Sequence, residues 1–290
     1  MPARVLEAST ELKEIIGAAE EAGAGLIRRF GARDRLVVEL KGPQDFVSEA
    51  DRESERTLRT RLLRAFPSHG FVTEESAPVL PALAGRAAPV SRFIVDPLDG
   101  TTNFVHGIPH FAIAVALERD GEIVAGVVYD VPKREMFVAE RGRGAWLGGT
   151  RLQVSTDREL SRAIVGTGIP HANAKARHAK YLAMLAGAMK EAAGIRRFAA
   201  AAIDLAYVAA GRFAVFFEMG LSPWDVAAGS LLVQEAGGRV TEPDGGEDYI
   251  ARGNVLATNG HLHPRMLKML ARASPPDASP KRRRRKSRRA

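Results

Sequence analysis

Two aspartates three residues apart, Asp96 and Asp99, lie in the segment IVDPLDGTTNF at 94–104. The run before them reads as a strand ending at Asp96, followed by a tight turn. Carboxylates so spaced on a turn can converge on one point, and Gly100 lets the backbone approach a ligand closely. If Thr101 opens a helix, its N–H groups and dipole favour an anion there. An anion beside carboxylates calls for cations, and hard oxygen ligands suit magnesium. The competing reading is a surface Asp-Pro turn that leads into a helix.

Three further places could do chemistry. Glu74 and Glu75 follow the strand-like FVT; adjacent side chains on an extended segment point to opposite sides, so one of the two at most faces a given site. Asp225 follows Trp224 at the start of an apolar helix, where it is either an ordinary N-cap or a ligand held rigid by the helix beneath. The segment from Lys41 to Asp51, KGPQDFVSEAD, offers a cation that could neutralise phosphate or hold water. Its Asp51 is either a capping-box acid or a group that orients a hydroxyl. His106 and His110 flank the 94–104 turn, but metal-bound water protonates a leaving alkoxide more simply than either imidazole.

Elements must hold these residues in place. Leu12, Ile15, Ile16, Ala19, Ala22, Leu26, Ile27 and Phe30 recur at helical spacing, one apolar stripe on a long first helix. KGPQDFVS reads as a polar connection. Ser48, with Asp51 three residues on, starts a second helix through Leu58, Leu62, Leu63 and Phe66, stopped by Pro67. The runs RFIVD (92–96), FAIAVALE (111–118), EIVAGVVYD (122–130) and REMFVAE (134–140) read as hairpin-connected strands. Strands and helices then alternate: strand 162–168, helices near 175–192 and 200–211, strand 213–218 and a helix from Asp225 to Ala236 closed by Gly237-Gly238. A strand at 254–259 and a last helix to about Arg272 complete the series. Layered α and β structure follows. Met184 and Met189 read as core, and Trp224 as a packing residue.

Composition excludes several classes. The 290 residues contain no cysteine, which rules out disulfides, thiolate zinc sites, iron–sulfur clusters and a cysteine nucleophile, and fits a reducing cytoplasm. The N-terminus lacks an apolar h-region and carries Glu7, Glu11 and Glu14, unlike a signal peptide. The apolar stretch from Phe198 to Phe217 is interrupted by Asp204 and Arg212, which argues against membrane insertion. The formal net charge is +8, but residues 281–290 hold eight Lys or Arg and no acid. Taking those eight from the 42 basic residues leaves 34, equal to the 34 acidic ones. The charge therefore belongs to the tail, whose composition cannot bury enough apolar surface to fold. Lys281 to Arg289 could bind nucleic acid or another acidic partner.

Taken together, the four acidic places resemble the inositol monophosphatase family of magnesium-dependent, lithium-sensitive sugar phosphatases, in its bacterial inositol-1-monophosphatase type. The resemblance covers about residues 5 to 270 and is carried by DPLDGTTNFVHGIPHFAI, FVTEES, GVVYD, GRGAWLGG and PWDVAAGSLLVQEAGG. It implies a layered αβαβα sugar-phosphatase fold of class α/β, with mixed α+β and α/β halves. Residues 1–150 would form the N-terminal half with most metal ligands, 151–273 the C-terminal half, and 274–290 a disordered basic tail. It implies a cytoplasmic, homodimeric phosphomonoesterase with two to three Mg²⁺ ions. Asp96 would bridge two ions, joined by Glu74 and the Leu98 carbonyl on one and by Asp99 and Asp225 on the other. Glu74 would also touch a weaker third ion. Thr101 and Glu74 would orient and deprotonate the attacking water, with Asp51 holding the Thr101 hydroxyl and Lys41 and Glu75 placed around metal-bound water. N–H groups of Gly100 and Thr101 would cradle phosphate. Asp99, Glu218 and the backbone near Ala201 would bind substrate.

The substrate implied is myo-inositol 1-phosphate or a related polyol phosphate. Fructose 1,6-bisphosphate, histidinol phosphate and 3′-phosphoadenosine 5′-phosphate are the alternatives. An RNA or ribonucleoprotein role through the tail is the alternative of another class. Three positions depart from the family pattern. Ala199 stands in place of a glycine, a change tolerated at negative φ. Ala214 stands where many relatives carry Asp near the substrate end, and Thr73 where Gly is commoner. Arg196 and Arg197 are candidate interface or substrate-side charges.

Overall fold

The computed structural model describes residues 8–33, 37–42, 45–78, 90–170 and 175–272. The basic tail therefore lies outside the described residues, as does the Lys41 side chain. Helix α1 (Thr10–Gly31) is capped by Ser9, whose hydroxyl accepts from Leu12 N–H at 3.2 Å. Its stripe is buried from Leu12 to Leu26, whereas Ile27 is 43% exposed. Strands β1 (Val38–Gly42) and β2 (Asp45–Ser48) pair antiparallel, so the expected polar connection is a hairpin. Two short runs of mixed character, VELKG and DFVS, flank its Gly-Pro turn signal and satisfy each other's backbone groups. Helix α2 (Glu49–Ala65) follows, opened by a capping box of Ser48 and Asp51.

A seven-stranded sheet is hydrogen-bonded in chain order. It comprises β3 (Gly70–Thr73), β4 (Ser91–Asp99), then, after the short α3 (Thr101–Val105), β5 (Ala112–Arg119), β6 (Glu122–Asp130), β7 (Glu135–Glu140), β8 (Gly144–Leu147) and β9 (Thr150–Arg151). The β3–β4 pair is parallel and the rest antiparallel. Next come β10 (Ile164–Thr167), α4 (Lys175–Glu191), β11 (Gly194–Arg196), α5 (Ala201–Ala209), β12 (Val215–Met219), α6 (Pro223–Glu235), β13 (Arg239–Thr241), α7 (Tyr249–Arg252), β14 (Asn254–Thr258) and α8 (His263–Ala271). Their strands form a second sheet in the order β11-β10-β12-β14-β13.

Three apolar cores define αβαβα layers. α1 and α2 cover one face of the large sheet, α5 and α6 lie between the sheets, and α4 and α8 cover the outer face of the second sheet. Strand β5 shows how the sequence sorts them, because alternate side chains point to opposite faces. Ile113, Val115 and Leu117 enter the α1–α2 core, while Ala112, Ala114 and Ala116 face the middle helices. Small residues there let helices approach closely: the space a Cβ on Gly126 would need lies 3.0 Å from the Ala228 carbonyl of α6. Met184 is fully buried under α8, but Met189, expected in the core, is 65% exposed on the opposite side of α4. No helix among the described residues is long and apolar enough to cross a membrane.

Candidate active site

The large sheet brings Asp96 and Asp99 together by an irregularity. Strand β4 does not stop at Asp96 but runs to Asp99. Asp96 pairs with Ala114 and Asp99 with Ala112, so three steps on β4 match two on β5. In a regular strand, residues three apart point to opposite faces. The one-residue bulge returns Asp99 to the face of Asp96, toward α5 and α6. The Leu98 N–H donates to Asp96 Oδ1 at 3.0 Å, and the Ser54 hydroxyl fastens the Pro97 carbonyl at 2.7 Å.

At Gly100 the chain turns into α3 with φ of 89°, a left-handed conformation that suits glycine. A Cβ there would also lie 3.0 Å from the His110 carbonyl. Asn103, which sequence reasoning does not single out, locks this turn. Its amide donates to the His110 and Phe198 carbonyls, both at 2.8 Å, tying α3 to the segment before α5. Its place inside GTTNF, one turn into a short helix, is the available signal.

Thr101 Oγ1 lies 2.8 Å from Asp51 Oδ1 and 3.0 Å from the Leu98 carbonyl. One proton serves two acceptors, so the lone pairs of the hydroxyl remain available to receive a hydrogen bond. Asp51 is 1% exposed and performs both readings considered for it, because its Oδ2 also accepts from Ser48 N–H at 2.8 Å and Ser48 Oγ at 2.7 Å. Burial pushes its carboxyl above the usual range, against the bonds from Ser48 and Thr101.

The second half supplies two helix N-termini. Ala200, at the N-cap of α5, has no side-chain oxygen. Asp99 fills that role from the other sheet, its Oδ2 accepting the Ala202 N–H at 2.9 Å. Asp225 is the third residue of α6, not its N-cap, and its Oδ2 accepts the Ser222 N–H at 2.7 Å. Glu218, on β12, occupies the face that α5 covers.

These carboxyls feel one another. Burial and then Glu74, Asp99 and Asp225 hold Asp96 well above the usual carboxylate range. Burial pushes Asp99 up to about 7, opposed by the Ala202 N–H and reinforced by Glu74. Asp225 and Glu218 keep some solvent contact, yet the protein around them and their acidic neighbours push each up to about 8. Among the described residues, no three His, Asp or Glu side chains are already closed around one point as a metal shell. Four oxygen-rich groups in mutual repulsion nevertheless form a donor set that fits a hard divalent cation. The charge of Glu75 is instead felt at Arg52, so the adjacent acids act in different directions.

Other expectations are adjusted. Ala199 has φ of 61°, not the negative value at which alanine is tolerated. The left-handed conformation brings Cβ against the following carbonyl and costs about 1 kcal/mol. Ala214 is 2% exposed in the outer core, away from the cleft. Thr73 is explained by a bond from its hydroxyl to Glu55 at 3.1 Å. His110 is held neutral, its pKa pushed down to about 4 by burial and by Lys133. Trp224 packs against the middle core, as expected.

Relatives agree with this architecture. The profile of the inositol monophosphatase family matches residues 8–275. Inositol-1-monophosphatase of Rhizobium meliloti (strain 1021) is 47% identical over 267 residues, 92% of this chain and 98% of that protein. Nus factor SuhB of Pseudomonas aeruginosa is 42% identical over 260 residues, 89% of this chain and 95% of that protein. The crystal structure of extragenic suppressor protein suhB from Bartonella henselae aligns with a TM-score of 0.86 at 46% identity, covering 91% of this chain and 99% of that one. With a bulged carboxylate turn beneath two helix N-termini, and with these relatives along nearly its whole length, the chain belongs to the inositol monophosphatase family, a family of phosphatases.

Proposed function

We propose that this phosphatase hydrolyses myo-inositol 1-phosphate or a related polyol phosphate, with Mg²⁺ as its cofactor. The observation that supports the reading is the electrostatic reach of Glu74, Asp99 and Asp225 onto Asp96, beside the Gly100–Thr101 turn. Those four, with the Leu98 carbonyl, would hold the ions. Bound there, Mg²⁺ would lower the pKa of water and offset the charge on phosphate. The chain's own contribution is position. Thr101, fixed by Asp51, accepts a hydrogen bond from the attacking water, and Glu74 takes its proton. The Gly100 and Thr101 N–H groups hold phosphate oxygens in line with the attack. Glu218 receives hydroxyls of the polyol, beside the N-terminus of α5. Lys41 and Glu75 would act at the edge of the bound water, Glu75 from the side that faces Arg52. Residues 1–150 and 151–273 act as two halves, neither active alone, in a cytoplasmic homodimer.

Phosphate release tests the reading with four substrates: myo-inositol 1-phosphate, fructose 1,6-bisphosphate, histidinol phosphate and 3′-phosphoadenosine 5′-phosphate. The inositol ester is expected to be turned over fastest, only with Mg²⁺, and to be inhibited by Li⁺. Full activity in Asp96→Asn would sink the mechanism.

A second reading rests on the eight basic residues among the last ten and on a relative named as a Nus factor. The tail would bind RNA by counterion release, with a steep salt dependence that collapses when residues 274–290 are removed. Unchanged binding after truncation rejects it.

A further inference from the structure

Helix α5 is buried at all nine positions and apolar at every one except Asp204. Asp204 is 1% exposed, and its Oδ1 has no hydrogen-bond partner. A carboxyl in that condition costs the fold several kcal/mol in water-to-interior transfer, so a purely structural position would favour leucine. Its surroundings indicate a use. Its charge interacts with Glu218 and Asp99, and the countervailing cation is Arg197 on the exposed side. Glu218 lies on the face of β12 that α5 covers, with its carboxyl seated on Gly168, where a Cβ would collide with it. Glu218 is therefore walled by backbone on one side and faces the α5 layer that carries Asp204, with no direct hydrogen bond between the two carboxyls.

We propose that Asp204 is a positioning residue for Glu218: through one bridging water it presents a hydrogen bond that fixes the Glu218 carboxyl toward the hydroxyls of a polyol phosphate. The proposal rests on the substrate reading above. Two neighbouring carboxyls, one buried and one half-buried, hold one proton between them more readily than two charges. Burial raises both, Glu218 to about 8 and the deeper Asp204 well above the usual range, so Asp204 is the donor of the pair. Glu218 is left as the acceptor, which is the role that a hydroxyl-bearing substrate requires.

The test compares the full-length enzyme with Asp204→Leu, Asp204→Ala and Asp204→Asn, on myo-inositol 1-phosphate and on 4-nitrophenyl phosphate, which has no polyol hydroxyl. Asp204→Leu is expected to raise KM for the inositol ester about tenfold at nearly constant kcat, the size of one lost hydrogen bond to a charged group. The aryl ester should change less than about twofold, and Asp204→Asn, which keeps a donor, should restore most of the loss. Should the leucine variant not fold, the alanine variant is read in the same way. An unchanged KM, equal losses on both substrates, or an asparagine variant as poor as leucine overturns the assignment. Failure of the substrate reading is seen separately, as a wild-type enzyme with no preference for the inositol ester over the aryl ester.

Discussion

Asp51 and Asp225 occupy the same local position. Each is the third residue of a helix that begins after a serine, and each uses Oδ2 to accept the backbone N–H of that serine, at 2.8 and 2.7 Å. Their surroundings differ. The second oxygen of Asp51 meets a neutral hydroxyl, that of Thr101. Asp225 meets other acids instead: burial, then Asp99 and Glu74, push it up to about 8, against its bonds to the Ser222 N–H and Asp96. A local motif thus sets how an acid is held, while the element across the gap sets what the acid does. One acid meets a hydroxyl, and the other meets further acids, as the proposed cation would require.

The sharpest way to break this comparison is to remove each charge. Asp225→Asn should lower kcat by at least about 10³-fold, because charge stabilisation of several kcal/mol depends on it. It should also abolish most of the Mg²⁺-induced rise in Tm. Asp51→Asn, acting through Thr101, should cost about 10- to 100-fold and keep that rise. Equal effects would dissolve the distinction. The comparison also has an acid limit set by the fold. His263 is fully buried, its ring nitrogens 3.0 Å from the Thr241 and Thr258 hydroxyls, and burial holds its pKa at about 4. Its stabilising contribution is complete above the unfolded value near 6.5 and is lost as pH falls toward 4, by at most about 3 kcal/mol. Denaturant midpoints should fall across that window and less so in His263→Gln.

Smaller effects separate the caps themselves. The Ser48 hydroxyl accepts the Ala50 N–H at 3.1 Å and touches Asp51, whereas the Ser222 side chain shares the Asp225 N–H of its capping box with its own carbonyl, which takes that donor at 3.2 Å. Ser48→Ala should therefore cost about 1 kcal/mol in chemical denaturation, and Ser222→Ala a few tenths. Of similar size, Ala199→Gly touches neither box. It trades relief of left-handed strain against a more flexible unfolded chain, for a net gain of about 0.5 kcal/mol.

Much of this was legible in the sequence, for reasons that differ by region. The α1 stripe and the Ser48–Asp51 box are local patterns, complete within one or two turns of helix, and they fold as read. Hairpin β1–β2 was obscured because its runs are short and polar residues interrupt them. The three-residue strands β11 and β13 owe their existence to the neighbours they pair with, which no local pattern reveals. The bulge between Asp96 and Asp99 was hidden in the same way: it is a mismatch with Ala112 and Ala114, defined only by the partner strand. The left-handed φ of Ala199 is imposed by tertiary anchoring, since the neighbouring Phe198 carbonyl is held by Asn103. The motifs named the acidic residues, and the sheet register explains how they face one another.

The bond from Ala202 to Asp99 closes a loop of 103 residues. Contacts of such separation cost more chain entropy than local ones and form slowly. A refolding chain that has completed its large sheet already carries Asp96, Asp99 and Thr101, but it gains its substrate pocket only when α5 docks. Recovery of activity should therefore lag behind recovery of secondary structure, since a chain with a finished large sheet still lacks the α5 side of its cleft.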